Sequence, residues 1–236
     1  MRSEQIHNRR RIIQMSYEAG ASNLGSALSV VDIVEAVYAV KRPDEKYVMS
    51  NGHAASALYA VMERYGLLEQ PNLDALGIHP DRNLELGIDV SSGSLGQGLP
   101  IAVGMALANR ERRVFCSVSD GECAEGSIWE AIRIAAKEKL VNLKIIVNAN
   151  GYGGYGEVDT SQLAVSLQSF GLNLVEVDGH DIDGLKTALC LRTVRPVIIF
   201  AHTKVDELPF LQGLSAHYHK MTKEQYELAL QLWSNT

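Results

Sequence analysis

The chain has 236 residues, of which 46% are hydrophobic and 21% are charged, values typical of a globular protein. Its formal net charge of −6 argues against a nucleic-acid surface, and its one basic run, Arg9-Arg10-Arg11, has the pattern of a solvated helix face. No apolar segment has the length of a membrane span or a signal peptide, and the three cysteines lack C-x-x-C spacing, so we expect a cytoplasmic protein without zinc or disulfides.

Hydrophobic periodicity predicts alternating helices and strands along most of the chain. In chain order, we predict helices at 3–19 and 29–41, a strand at 46–49, a helix at 53–65, a long polar loop at 67–92, a helix at 96–110, a strand at 113–118, a helix at 127–139, a strand at 143–148, a glycine-rich loop at 151–156, a helix at 160–170, a strand at 173–177, a helix at 181–192, a strand at 196–201 and a helix at 222–235. Long loops such as 67–92 are often functional in compact domains.

The predicted strands are continuous apolar runs, as in 143–148 and 196–201. Strands of this kind are buried on both faces, and here they alternate with helices. The pattern therefore predicts an α/β fold with a doubly wound, mostly parallel sheet and helices on both faces. The chain contains no internal repeat and no linker, so we expect a single domain over 1–236.

Three loops are candidates for ligand binding, because ligands of such sheets bind beyond the carboxyl ends of the strands. The first, Gly93–Gly98, opens a predicted helix, where free backbone N–H groups favour a phosphate. It matches neither the Walker loop nor G-x-G-x-x-G, and tight helix packing at Gly96 and Gly98 explains its glycines equally well.

The other two loops are Asp120-Gly121-Glu122 and Asn150-Gly151-Tyr152, which follow neighbouring predicted strands. Carboxylate, amide and backbone carbonyl oxygens suit octahedral Mg²⁺ together with phosphate oxygens and water. Asp-Gly and Asn-Gly are also common turn dipeptides, and a plain turn is the better interpretation of either one alone. Together with the Gly93–Gly98 loop, these two loops predict a site for a diphosphate that is held through a metal ion.

These motifs resemble those of the transketolase family over nearly the whole chain. The matching segments are Ser50-Asn51-Gly52-His53, Gly77-Ile78-His79-Pro80, Gly93-Ser94-Leu95-Gly96-Gln97-Gly98, Asp120-Gly121-Glu122, Glu125-Gly126-Ser127-Ile128-Trp129-Glu130-Ala131, Asn150-Gly151 and Val177-Asp178-Gly179-His180-Asp181. Each segment alone is weak, but their combined order and spacing are highly specific. The chain resembles the N-terminal half of transketolase, in particular the first subunit of the split bacterial form.

The resemblance implies two cofactors, thiamine diphosphate and Mg²⁺. Asp120 and Asn150 would bind Mg²⁺ through their side chains and Tyr152 through its backbone carbonyl. The residues implied to hold the diphosphate and thiazolium are His53, Gly93, Ser94, Leu95, Gly96 and Gly121. Glu122, which follows Gly121, is assigned to the cofactor-binding loop and is expected to cap the following turn.

The resemblance also implies residues for catalysis. His79 would meet hydroxyls of the donor sugar, and His219 lies about where another family histidine contacts diphosphate and substrate. Glu125 and Glu130 match carboxylates that link two active sites across a subunit interface.

In the family, a glutamate on a separate pyrimidine-binding domain protonates the cofactor ring. We therefore expect a partner chain that carries this domain and the C-terminal domain, in an α₂β₂ assembly. The implied reaction moves a two-carbon ketol unit between sugar substrates.

One departure from the family pattern bears on the substrate. Asn23 replaces a family histidine that contacts substrate, and an amide cannot act as a base near neutral pH. We therefore expect a non-standard donor or acceptor. Two alternatives stay open: one chain of a decarboxylating enzyme that uses a 2-oxo acid, and a non-catalytic regulatory subunit that has kept the fold.

Overall fold

A parallel β-sheet forms the centre of the protein in the computed structural model, which describes residues 1–233. In chain order the strands are β1 (Lys46–Met49), β2 (Val114–Ser119), β3 (Leu143–Ala149), β4 (Tyr152–Gly153), β5 (Gly156–Glu157), β6 (Asn173–Asp178) and β7 (Val197–His202). Five of them form the sheet in the spatial order β1-β2-β3-β7-β6, with every neighbouring pair parallel. Strands β4 and β5 pair separately as a short antiparallel hairpin.

Helices cover both faces of this sheet. They are α1 (Ser3–Glu18), α2 (Leu24–Val40), α3 (Ala55–Arg64), α4 (Leu73–Leu76), α5 (Gly98–Ala108), α6 (Gly126–Lys137), α7 (Thr160–Gln168), α8 (Ile182–Leu189) and α9 (Lys223–Leu232). One hydrophobic core joins α1, α2, α3, α8 and α9 to one face of the sheet, and a second core joins α5, α6 and α7 to the other.

Burial of both faces explains why the strands are apolar throughout. Every residue of β2 and β3 is buried. Side chains alternate between the faces, so Phe115 belongs to one core and its neighbour Cys116 to the other. The predicted doubly wound parallel sheet is confirmed, and the predicted strand bounds agree with the observed ones to within one residue at each end.

Helix bounds differ more than strand bounds. Helix α2 begins at Leu24, five residues before the predicted start at 29, because it is buried on nearly all sides and so lacks a clear amphipathic start. The predicted loop 67–92 contains the short helix α4, and the predicted loop 151–156 forms the β4–β5 hairpin. The last helix ends at Leu232, and the final part of the predicted helix, 234–235, lies outside the described residues.

The prediction of a solvated basic face at Arg9-Arg10-Arg11 is wrong for Arg9. Its guanidinium is only 2% exposed and donates hydrogen bonds of 2.7–2.9 Å to Asp32, which is fully buried. A second carboxylate, Glu207, accepts from the same guanidinium at 2.6 and 2.8 Å. Arg9 therefore joins α1 to α2 and to the segment after β7.

Within residues 1–233, no helix combines the length and the apolar character that a membrane crossing requires.

Candidate active site

A cleft of about 190 Å³ lies at the carboxyl edge of the sheet. Parallel register pairs Ser119 at the end of β2 with Asn148 near the end of β3, so the loops that follow these strands are neighbours. Seven predicted site residues line the cleft: Asn23, His53, Gly93, Leu95, Gly121, Glu122 and Tyr152. The structure thus brings together residues from five separate segments of the chain.

Asp120 lies between the cleft residues Ser119 and Gly121, and two backbone hydrogen bonds orient its carboxylate. Its carboxylate accepts hydrogen bonds from the backbone N–H groups of Gly121, at 2.9 Å, and Gly151, at 2.6 Å. The side chain is 1% exposed, and burial raises the pKa of the Asp120 carboxyl to about 6. A cation beside this buried carboxylate would stabilise its ionised form.

Asn150 is held next to Asp120 by the same turn. Its Oδ1 accepts from the backbone N–H of Tyr152 at 3.0 Å, and its Nδ2 donates to Ser29 Oγ at 3.3 Å. The Tyr152 carbonyl oxygen would lie 3.5 Å from a Cβ atom built on Gly121. The three predicted metal-binding residues are therefore grouped around the Gly121 backbone, where their oxygens are hard donors of the kind that Mg²⁺ prefers.

Glu122 has a structural position that the sequence did not indicate. The side chain is completely buried, and its Oε1 accepts hydrogen bonds from Ser50 Oγ at 2.5 Å and from the Gly96 N–H at 2.8 Å. Its Oε2 accepts from the Ser119 N–H at 3.4 Å. Burial raises the pKa of the Glu122 carboxyl. Instead of only capping its own turn, Glu122 connects the loops after β1 and β2 to the Gly93–Gly98 loop.

Two glycines of the cleft lie so close to neighbouring atoms that any side chain would clash. A Cβ atom on Gly121 would lie 2.5 Å from the Gly153 Cα atom, so the two loops approach through bare backbone. Gly93 has a φ of +121°, and a Cβ there would lie 2.4 Å from the His79 ring. Both glycines line the cleft, and a side chain at either position would displace the neighbouring loop or ring.

Two histidine rings from distant parts of the chain meet in the cleft. The ring centroids of His53 and His217 are 6.4 Å apart. Burial, together with the positive charge that His217 and His79 can carry, lowers the pKa of His53 to about 4. His217 is 6% exposed, burial lowers its pKa, and within the described residues its Nδ1 atom has no hydrogen-bond partner.

His219, by contrast, points away from the cleft. Its Nε2 bonds to Gln225 Oε1 at 2.8 Å, and its ring stacks on Phe210 at 5.3 Å. Residues 213–217 form a short 3-10 turn that directs His217 inward instead. His217 is thus a cleft residue that the sequence did not indicate, and the only sequence signal for it is a histidine two positions before His219.

Asn23 and His79 are two further predicted residues at the cleft: Asn23 lines it together with His53, and His79 lies beside the cleft residue Gly93. Asn23 is the residue before α2, has the left-handed φ of +64°, and donates its backbone N–H to the His217 carbonyl at 2.9 Å. His79 is exposed on the loop beside Gly93. Both can meet a ligand that extends out of the cleft.

Glu125 and Glu130 lie on the surface beside the cleft. Glu125 is exposed just before α6, next to Gly96, and Glu130 is exposed one turn later, where it pairs with Arg133 at 2.8 Å. Ser94 is also exposed on this side. Both carboxylates therefore lie at the surface, whereas the Asp120 carboxylate is buried.

Comparison with known proteins gives one family and a set of relatives. The family described as "Transketolase, thiamine diphosphate binding domain" matches residues 10–219. One of the subunits of the apulose-4-phosphate transketolase of Phocaeicola vulgatus is 31% identical, with 94% of this chain and 90% of that protein covered. Human transketolase is 34% identical over 83% of this chain but only 36% of its own length.

Solved structures show the same fold. A transketolase mutant from Pichia stipitis superposes with a TM-score of 0.85 at 21% identity, covering 99% of this chain and 41% of that one. Transketolase from Campylobacter jejuni gives 0.81 at 24% identity, with 98% and 42% covered. The chain thus spans about two-fifths of the length of these larger proteins.

Proposed function

Since the chain belongs to the transketolase family and matches its thiamine diphosphate binding domain, we propose that it is the diphosphate- and Mg²⁺-binding chain of a two-chain ketol transferase. The observation that carries this proposal is the contact between the Asp120 carboxylate and the turn that holds Asn150, at 2.6 Å from the Gly151 nitrogen. This contact groups the hard oxygens beside the bare backbone of Gly121.

The residues present fit both cofactors. The cleft offers bare glycine backbone for a diphosphate, and Asp120, Asn150 and the Tyr152 carbonyl would hold Mg²⁺. Mg²⁺ needs few protein ligands, since it retains waters and phosphate oxygens. When bound, thiamine diphosphate supplies a carbon nucleophile that stabilises the transferred two-carbon unit.

The side chains around the cleft would bind and orient the sugar. His53 stays neutral at pH 7 because its pKa is lowered to about 4, so its ring can both donate and accept a hydrogen bond. The unpaired Nδ1 of His217 is available to a phosphate oxygen or a hydroxyl group. His79 and Asn23 would hold hydroxyl groups of the substrate at the rim.

A second chain would complete the site. Helix α5 is apolar on its outer side, where Ile101 and Leu107 are each 39% exposed, and the cleft residue Leu95 beside it is 38% exposed. Glu125 and Glu130 lie on the adjoining surface. We propose that this surface binds the chain that carries the pyrimidine-binding domain, in an α₂β₂ assembly, and that neither chain turns over substrate alone.

The substrate pair would differ from the usual pentose phosphates. Asn23 lacks the acid–base capacity of the family histidine, and two of the relatives are named as subunits of apulose-4-phosphate transketolases. Phosphorylated ketoses outside the pentose pair are therefore the first donors to test.

Calorimetry with thiamine diphosphate and Mg²⁺, with and without the partner chain, tests the cofactor assignment. We expect tight binding with the partner, and a tenfold or larger loss in the Asp120→Asn variant. If thiamine diphosphate binds neither with nor without the partner chain, the result would favour a regulatory subunit. A comparison of several ketoses with pyruvate as the donor then tests the reaction. Turnover with pyruvate but with none of the ketoses would favour the decarboxylating alternative.

A further inference from the structure

A second pocket, of about 460 Å³, lies at the opposite edge of the sheet from the cofactor cleft. It is formed by the segments that lead into β1, β2 and β3, and by the residues that follow α8. Strand β3 is seven residues long, so the two sites are separated by about 20 Å of sheet. The pocket shares no residue with the cleft.

Four cationic side chains line this pocket, and none of its lining residues carries a carboxylate; the four are Arg42, Arg113, Lys144 and Arg192. Glu45 does not line the pocket, but it pairs with Arg113 at 2.6 Å and with Arg42 at 3.2 Å. Asp44 lies 3.7 Å from Arg42 and is the other carboxylate that pairs with a pocket cation within residues 1–233. The pocket therefore keeps an excess of about two positive charges in a protein whose net charge is −6.

Lys144 is the most unusual of the four. It lies in β3 and is 3% exposed, and its ammonium group donates to the backbone carbonyl of Leu191 at 2.6 Å. Within residues 1–233, no carboxylate lies within ion-pair distance of it. A buried ammonium with a neutral partner is costly. Burial and the charge of Arg113 lower the pKa of Lys144, so an anion in the pocket would relieve an existing penalty.

We propose that this basic pocket binds a phosphate monoester of a small metabolite. Arginine guanidinium groups recognise phosphate oxygens through paired hydrogen bonds, and Lys144 would add a charge-assisted one. The volume lies in the range of small-molecule sites and is much larger than a phosphate ion needs. Apolar side chains of Val141, Leu189 and Leu191 line the remaining wall, where they would contact the body of the ligand.

Cys190 provides a local probe of this pocket. It lines the pocket and is exposed, whereas Cys116 and Cys123 are buried at 0% and 4% exposure. In the folded 236-residue chain, a small neutral alkylating reagent such as iodoacetamide should therefore modify Cys190 first. A bound phosphate monoester would slow this reaction, because it blocks access to the thiol.

The experiment measures Cys190 alkylation by intact-mass spectrometry at increasing ribose 5-phosphate, with ribose and KCl at matched ionic strength as controls. We expect protection by ribose 5-phosphate only. The variants Lys144→Met and Arg192→Gln should each need about tenfold more ligand for the same protection, as for loss of one hydrogen bond to a charged group. Arg195→Gln, an exposed arginine outside the pocket, should behave like the wild type.

Circular dichroism and thermal unfolding establish that the variants are folded, and Arg192→Gln, at an exposed position, remains informative if Lys144→Met unfolds. The proposal is overturned if ribose 5-phosphate gives no protection, if ribose or KCl protects equally, or if both pocket variants respond like the wild type. Protection by inorganic phosphate at equal or lower concentration would also overturn it, because the site would then take the free ion.

Discussion

The Glu122 carboxylate accepts a 2.5 Å hydrogen bond from Ser50 Oγ, although 72 positions separate the two residues in the chain. The same oxygen accepts from the Gly96 N–H. We predict that Glu122→Ala destabilises the fold by about 1–3 kcal/mol, because it leaves buried donors unpaired. We also expect weaker binding of thiamine diphosphate, because the Gly93–Gly98 loop is displaced. Denaturant unfolding and calorimetry measure the two effects.

Glu122→Gln separates shape from charge at this position. Its amide oxygen can still accept from Ser50 and Gly96, so we expect a smaller loss than for alanine. Glu111→Ala removes an exposed carboxylate outside the cleft and serves as the control. Equal stability of Glu122→Ala and Glu111→Ala would contradict the connecting role of Glu122.

Gly121 is predicted to be intolerant of any side chain. A Cβ atom in Gly121→Ala would lie 2.5 Å from the Gly153 Cα atom, which belongs to backbone and cannot rotate away. We expect lower thermal stability and a loss of cofactor binding of tenfold or more, because the two loops must separate. Gly126→Ala is the matched control, since a Cβ there has nothing within 4 Å; similar behaviour of both variants would refute the prediction.

The sequence predicted the sheet and the grouping of Asp120 with Asn150 for a physical reason. Buried parallel strands have an unmistakable apolar pattern, and their carboxyl ends must meet at one edge. It could not predict the hydrogen bonds of Glu122 or the burial of Arg9, because the partners lie far along the chain and depend on packing. His217 was missed in favour of His219 because an irregular turn has no periodicity from which side-chain direction follows.

The buried ion pair between Arg9 and Asp32 is predicted to be important for stability. Arg9→Met leaves the carboxylates of Asp32 and Glu207 without their cation, so we expect a loss of about 3–5 kcal/mol in the free energy of unfolding. Arg133→Met breaks an exposed helical pair with Glu130 and should cost less than about 1 kcal/mol. Urea unfolding of both variants measures the difference, and similar losses would show that Arg9 acts as a surface charge.

His53 is predicted to make stability depend on pH. Its pKa is about 4 in the folded protein and 6.5 for an unperturbed histidine, so between these values the unfolded chain binds the proton more tightly. Stability from this group is therefore present above about pH 6.5 and is lost as the pH falls toward 4, by an amount on the order of 2 kcal/mol.

Urea unfolding at pH 7 and pH 5 checks this pH dependence. His53→Gln should reduce the loss between the two values, whereas His7→Gln, on the exposed face of α1, should leave it unchanged. NMR titration should also find the His53 ring neutral at pH 5. A His53 resonance that titrates near pH 6.5 would contradict the prediction.

Asn23 is predicted to restrict the reaction with xylulose 5-phosphate and ribose 5-phosphate. It lines the cleft at a φ of +64°, a conformation that asparagine and histidine adopt more readily than most residues. Asn23→His should therefore fold and place an imidazole beside the substrate hydroxyls. With the partner chain and both cofactors, we expect weak turnover by the wild type and an increase of about tenfold or more in the variant, since an imidazole can also transfer protons. Asn23→Gly allows the same backbone without a side chain, so an equal increase in that variant would mean that cleft volume, and not the imidazole, limits the reaction.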